Sequence, residues 1–306
     1  MPAKSPGGAM MKRRVRQLLL ALMWSLALVG CTAGGAAPPQ ERITVVASIP
    51  PLADFVAQVG GERVEVVTMI PPGSNPHLYE PTAAQMVALS RARLLVLNGA
   101  GLEFWAPQVI EAAQNPDLKV VPLSQGMILR PEGDTEHVNP HLWLSPKRAM
   151  VYVERIRDAL IEVDPDGERI YRANAARYLD ELKALDAEIE EAVAHFRTRQ
   201  VIIYPAWDYF LADYGLTAAA YVEPYPGKEP SPEYIAQVVE TVRRTGARAV
   251  FTRTQFPPQA AETIAAETGA RLLPLDPLGG VPPRVHYLDL MRWNLAQFQR
   301  GLEREP

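Results

Sequence analysis

Short β-branched runs and segments of helical spacing alternate along this chain. Ile43 to Ser48, Val64 to Met69, Leu94 to Leu97 and Lys119 to Leu123 read as strands. Leu52 to Val59, Thr82 to Ala92 and Gly101 to Gln114 carry apolar residues at helical intervals between them. Strands alternating with helices of that length predict βαβ units on a parallel sheet. The alternation resumes later, with strands over Gln200 to Tyr204, Thr217 to Val222, Ala249 to Thr252 and Arg271 to Leu275. Their helices fall at Trp207 to Asp213, Pro232 to Thr245, Pro258 to Thr268 and Val285 to Leu302.

A different pattern divides the two halves. Pro146 to Val163 reads as one helix, stopped at Asp164-Pro165-Asp166-Gly167. From Arg169 to Phe196 the apolar positions Tyr171, Ala175, Tyr178, Leu182, Leu185, Ile189, Val193 and Phe196 recur every three or four residues, a continuous helical stripe. At about 1.5 Å per residue this gives roughly 40 Å of helix. With βα patterns on both sides, such a helix fits a rigid strut between lobes better than a coiled-coil strand. The expected fold is α/β: two Rossmann-like lobes with parallel sheets, residues 43–165 and 198–306, joined by one long helix at 166–197.

The amino terminus is of another kind. Lys12-Arg13-Arg14-Val15-Arg16 precedes an apolar stretch of 13 residues, Leu18 to Gly30, and then Cys31, the only cysteine of the 306 residues. That stretch is short for a bilayer span and has the form of a signal peptide over 1–30. Leu28-Val29-Gly30-Cys31 resembles the lipobox of bacterial lipoproteins, which implies a lipid on Cys31 and an extracytoplasmic, membrane-anchored protein. Residues 31–42, rich in Gly, Ala and Pro, read as a flexible tether. Setting the five basic residues of 1–30 aside takes the formal charge from −4 to −9. A mature domain that acidic is a poor nucleic-acid binder and mildly favours cations.

The candidate chemistry lies in two matching loops. Asn75-Pro76-His77-Leu78-Tyr79 and Asn139-Pro140-His141-Leu142-Trp143 each place a histidine directly after a proline. Proline fixes its own φ and biases its predecessor towards extended backbone, so each imidazole leaves a stiffened loop. Two rigidly presented histidines suggest metal ligation. In open α/β sheets ligands bind beyond the carboxyl ends of the strands. Tyr204 sits at such an end and Asp276 one residue past another.

These motifs, with Asn98-Gly99-Ala100-Gly101-Leu102-Glu103-Phe104-Trp105, Glu229-Pro230-Ser231-Pro232 and Leu275-Asp276-Pro277-Leu278-Gly279, resemble in order and spacing the metal-binding solute-binding proteins of bacterial ABC transporters, the ZnuA-like and TroA-like family, over about residues 43–302. The resemblance implies two lobes joined by a long helix, with one zinc, manganese or iron ion as cargo in the cleft and an ABC permease as partner. It implies His77 and His141 as ligands from the first lobe and Asp276 from the second. At the fourth position, where the family usually has His or Glu, this chain has Tyr204. A phenol has to ionise to bind well and would then favour a hard ion such as ferric iron. Otherwise Tyr204 is a bystander, and water, Asp208 or Glu223 completes the shell. His195 and His286 read as structural, and Ser231 as a helix cap with Pro232 behind it. The protein is expected to be a monomer and not an enzyme. Two rivals are a zinc hydrolase built on two His and one Asp, for which no His-Glu-x-x-His or general base is present, and an adhesin on the same fold.

Overall fold

The computed structural model describes residues 42–74, 79–133, 136–224, 228–255 and 258–303. His77 and Cys31 lie outside the described residues, as do the leader at 1–30 and all but the last residue of the tether. The first lobe contains β1 Ile43–Ala47, α1 Pro50–Gly60, β2 Val64–Thr68, α2 Ala83–Leu89, β3 Leu94–Leu97, α3 Ala106–Ala113 and β4 Lys119–Pro122. Its four strands are parallel, in the order β2-β1-β3-β4. The chain then forms α4 Pro146–Val163 and the long helix α5 Glu168–Ala194. The second lobe contains β5 Gln200–Ile203, α6 Asp208–Asp213, β6 Thr217–Tyr221, α7 Pro232–Thr245, β7 Ala249–Arg253, α8 Gln259–Thr268, β8 Arg271–Leu275 and α9 Tyr287–Leu302. Its strands are also parallel, in the order β6-β5-β7-β8. The fold is therefore two parallel-sheet α/β lobes with a long helix.

Each sheet repeats one plan. The chain steps outward from its first strand to its second, then returns to the other side for the third and fourth. The order reverses between β1 and β3 in one sheet and between β5 and β7 in the other. At such a reversal the connections leave in opposite directions and open a crevice at the carboxyl ends.

The stripe on α5 is buried from Tyr171 to Val193, and the helix packs against α1 and α4 of the first lobe and α9 of the second. One apolar core runs from Val45 through Tyr178 and Leu185 to Phe298 and Leu302 without a break between lobes. A smaller cluster around Val238, Val242 and Ile264 fills the far side of the second sheet. A core continuous across both lobes opposes wide hinge opening, since opening would expose it to water. The lower end of the strut is held by Arg63, whose Nε and Nη2 each donate at 2.7 Å to the Asp164 carboxylate; Tyr171 donates its hydroxyl to the same group.

Most helix starts lie within one or two residues of the sequence expectation, and two of the shifts have a clear side-chain cause. Gly101 to Trp105 is not helical. Ala100 and Gly101 have positive φ of 52° and 83°, and the Glu103 carboxylate accepts the backbone N–H groups of Asn98 and Gly99 at 2.8 and 2.9 Å. That side chain folds the segment back on itself, and α3 starts only at Ala106. The segment from Thr82 begins one residue later, because Thr82 and Gln85 form a capping box at its start. Ser231 caps α7 as expected, accepting from the Tyr234 N–H with Pro232 in the first turn.

Candidate metal centre

His141 is held by a chain of buried hydrogen bonds that starts at the crevice of the first sheet. Asn98, directly after β3, donates from Nδ2 to the Pro140 carbonyl at 2.8 Å and accepts from the Tyr152 hydroxyl at 2.8 Å. The loop before the histidine is thus fixed by contacts that no turn preference could supply. His141 is 5% exposed. Both its backbone N–H and its ring Nδ1 lie 2.9 Å from Asn139 Oδ1. The orientation of the Asn139 amide is settled at its other end, where Nδ2 donates to the Pro205 carbonyl at 2.8 Å and to Asp208 Oδ2 at 3.1 Å. Both of those partners only accept, so Asn139 presents its oxygen to the ring and Nδ1 carries the proton. In that tautomer the ring lone pair is on Nε2.

On the other side, all four strands of the second sheet deliver a polar side chain at their carboxyl ends. Tyr204 follows β5, Glu223 comes two residues after β6, Arg253 ends β7, and Asp276 follows β8. Asp276 is 1% exposed. Its Oδ1 accepts from the N–H groups of Leu278 and Gly279 at 3.0 Å and from Gln255 Nε2 at 2.8 Å. Its Oδ2 accepts from Arg284 Nε at 2.6 Å. The Asp276 backbone is clamped by Asn294, which accepts its N–H at 2.8 Å and donates to its carbonyl at 2.7 Å. A carboxylate has about four lone-pair positions. Three donors crowd Oδ1, so the free one is on Oδ2.

Tyr204 is 3% exposed, and its hydroxyl makes no hydrogen bond among the described residues. Burial pushes the phenol well above its ordinary pKa; Trp207 and Arg253 oppose the shift, while Asp276 and Glu223 add to it. The Trp207 indole N–H is itself without a partner of normal geometry among the described residues. Arg253 lies over the Tyr204 ring at 5.3 Å and pairs with both Glu223 oxygens at 2.7 Å. Burial lowers the Arg253 pKa, with Glu223 the strongest opposing influence. A cavity of about 40 Å³ lined by Tyr204, Glu223, Thr252 and Arg253 adjoins the group. Next to His141 stands Glu132, whose Oε1 is 3.4 Å from Nδ1. Burial, followed by Asp208 and Glu223, lifts the Glu132 carboxyl to about 7, and Arg253 opposes this.

The loops that carry these groups meet across the cleft. Trp143, two residues past His141, donates from Nε1 to the Pro277 carbonyl at 2.7 Å, and its own carbonyl accepts from the Tyr287 hydroxyl at 2.7 Å. Gly280 sits so close to the first lobe that an added Cβ would lie 2.8 Å from Pro72 Cγ and 3.1 Å from Pro50 Cβ. Pro72 begins the loop that leads to His77. His141 and the Asp276 segment are thereby brought together; His77 lies outside the described residues. Among the described residues no group of three or more His, Cys, Asp or Glu side chains is placed to hold a metal. Asp208 is taken up by the N–H of Gly133 at 3.0 Å, Asn139 and the Tyr221 hydroxyl at 2.8 Å, and Glu223 by Arg253. His195 turns back to the Glu191 carbonyl at 2.8 Å, and His286 pairs with Asp54 at 2.9 Å.

The sequence reading missed Glu132, Arg253 and Arg284 as part of this constellation. Arg253 had a legible signal, the end of a strand. Glu132 and Arg284 come from irregular loops with none.

A family model described as the periplasmic component A of a zinc-uptake complex, ZnuA, matches residues 45–301. The chain belongs to the ZnuA family. A manganese-binding lipoprotein, MntA of Halalkalibacterium halodurans, is 33% identical over 287 residues, covering 91% of this chain and 95% of that protein. The zinc-binding lipoprotein AdcA of Streptococcus pneumoniae serotype 4 is 29% identical over 94% of this chain, which spans 61% of AdcA's length. A zinc-bound deletion mutant of ZnuA has a TM-score of 0.79 at 32% identity, covering 87% of this chain and 100% of that one. A manganese-bound periplasmic protein from Candidatus Liberibacter asiaticus gives 0.77 at 25% identity, covering 85% of this chain and 100% of that one. The relatives in the ZnuA family are substrate-binding proteins of metal transporters rather than enzymes. Neither the hydrolase nor the adhesin reading gains support from them.

Proposed function

We propose that this ZnuA-family chain captures one transition-metal ion, zinc, manganese or iron, as cargo between its lobes and passes it to an ABC permease. The observation that carries this reading is the imidazole of His141. It is buried, its tautomer and orientation are fixed by Asn139, and it stands on a loop bonded to the one that holds Asp276. A hydrogen bond at Nδ1 that fixes ring orientation and tautomer is the arrangement that orients metal-binding histidines generally. In this reading His77, His141 and Asp276 supply the donors and the Tyr204 hydroxyl completes the shell, directly or through a water in the adjoining cavity. The lobes are residues 43–165 and 198–306, with 166–197 as the strut. Because the core is continuous, release comes from loop movement rather than wide separation of the lobes.

The location proposed is the extracytoplasmic face of a membrane, with a lipid on Cys31 as the tether and the folded part a monomer. Among the described residues no helix is long and apolar enough to cross a membrane. The test is direct. Protein purified without chelator, and after metal loading, is assayed for bound zinc, manganese and iron beside His77→Ala, His141→Ala and Asp276→Asn. About one ion per chain on wild type, lost in all three variants, is expected. No ion on wild type, or equal loading of the variants, refutes the reading.

A further inference from the structure

The Asp276 carboxylate already holds a cation. Its Oδ1 is filled by two backbone N–H groups and Gln255, so a metal has access only at Oδ2, and there Arg284 Nε lies at 2.6 Å. The Asp276 side chain is 2% exposed and that of Arg284 16%, so little water screens the pair. We propose that Arg284 is a built-in competitor for the cargo site: it occupies the metal-facing oxygen of Asp276 when the site is empty, yields it on capture and reclaims it on release. The inference rests on the reading in which Asp276 is a ligand.

Two features bear on how Arg284 can yield the oxygen. In the same placement the guanidinium lies 4.4 Å from the Trp293 ring centroid, a cation–π contact that does not depend on the carboxylate bond and can hold the group in the cleft once the oxygen is given up. Its backbone, by contrast, is fixed. Gly280 N–H donates to the Arg284 carbonyl at 2.8 Å, and Arg284 N–H to the Val281 carbonyl at 2.6 Å. Gly279 and Gly280, at φ of 61° and 77°, form a turn that puts Arg284 beside Asp276. At Gly279 an added Cβ would lie 2.8 Å from the Arg284 carbonyl oxygen, so that turn closes only on glycine. The loop is fixed and the guanidinium is what can move.

The charges set the consequence. A divalent ion and a guanidinium on the same carboxylate oxygen repel, so each lowers the other's hold on it. Arg284 therefore weakens equilibrium binding and speeds release, and it keeps Asp276 compensated in the empty protein. A receptor that must give up its cargo gains from such an exchange, because the buried acid never stands uncompensated on the way out.

The experiment measures zinc and manganese affinity by chelator competition, release by stopped-flow transfer to excess EDTA, and melting of the metal-free protein, all on the full chain. Arg284→Gln and Arg284→Met are expected to bind about tenfold more tightly and release about tenfold more slowly, within the range by which groups behind metal ligands tune a site. Their metal-free forms melt lower than wild type and gain more on loading. Arg284→Lys keeps the charge and stays within about twofold of wild type; a gain equal to that of Gln would overturn the proposal. If Asp276→Asn weakens binding while the Gln and Met variants bind as wild type or more weakly, Arg284 is no competitor. If Asp276→Asn leaves binding unchanged, Asp276 is not a ligand, and the site reading fails together with the inference.

Discussion

Trp143 Nε1 donates to the carbonyl oxygen of Pro277 at 2.7 Å, across 134 residues of sequence and between the two lobes. The bond joins the residue two past His141 to the residue directly after Asp276, so it sets the distance between two candidate ligands that otherwise belong to different sheets. Trp143 is fully buried. Trp143→Phe would leave the Pro277 carbonyl unpaired and a gap beside it. The expected cost is about 2–4 kcal/mol of stability. Urea denaturation of the metal-free protein measures this, and metal affinity should fall in parallel because the loops are no longer pre-set. A variant as stable as wild type would show that the bond does not hold the cleft together.

Asn139 acts on His141 from the same loop but is anchored in the opposite lobe through Pro205 and Asp208. Asn139→Ala frees the ring to rotate and to change tautomer. Removing a partner behind a metal ligand typically lowers affinity by about 10–100-fold, and that range is expected here, read by competition with a fluorescent chelator. Asn139→Asp keeps an acceptor for Nδ1 but sets a second carboxylate against half-buried Asp208, so its loss is expected in stability more than in affinity. Equal affinity in wild type and the Ala variant would separate Asn139 from the site.

The fold was largely legible from periodicity, and the site only partly. The stripe from Tyr171 to Val193 is buried residue for residue, because one face of a long helix has to face the core whatever packs on it. The strand ends pointed to Tyr204 and Asp276, because parallel sheets deliver polar groups at their carboxyl edges. What periodicity could not carry is pairing between distant loops. Arg284 reaches Asp276 from an irregular turn, Glu132 reaches His141 from another, and Asn98 pins Pro140 from 42 residues away. The misplaced start of α3 has a local origin: Gly101 to Trp105 has helical spacing, but the Glu103 side chain and two positive φ angles override it.

Glu132 makes the metal-free protein sensitive to pH. Its carboxyl is raised from 4.5 to about 7, chiefly by burial. The folded state therefore holds a proton that the unfolded state has lost between those values, and stability falls as pH rises through that window, levelling off above about 7. A shift of this size corresponds to about 3 kcal/mol. Glu132→Gln stays neutral, so it is expected to match wild type near pH 4.5 and exceed it by about that amount at pH 8. Denaturation curves across the range with EDTA present measure the difference. Parallel pH dependence in the two proteins would contradict the assignment.

Tyr204 pits stability against binding. Its hydroxyl is buried without a hydrogen-bond partner among the described residues, and an unpaired buried hydroxyl costs about 1–3 kcal/mol. Any water in the adjoining cavity would reduce that cost, which sets the lower figure as the expectation here. Tyr204→Phe removes the oxygen and keeps the ring under Arg253, so the metal-free variant should be more stable by about 1 kcal/mol. If the hydroxyl serves the cargo, the same change weakens metal binding, and the thermal shift on loading shrinks even though the empty protein melts higher. Tyr204→His supplies a nitrogen donor instead and should strengthen zinc binding relative to manganese, since imidazole suits the former and oxygen donors the latter. Melting with and without each metal, on wild type and both variants, reads all of these effects. A Phe variant that is more stable when empty yet binds as tightly as wild type would remove Tyr204 from the shell and leave water in its place.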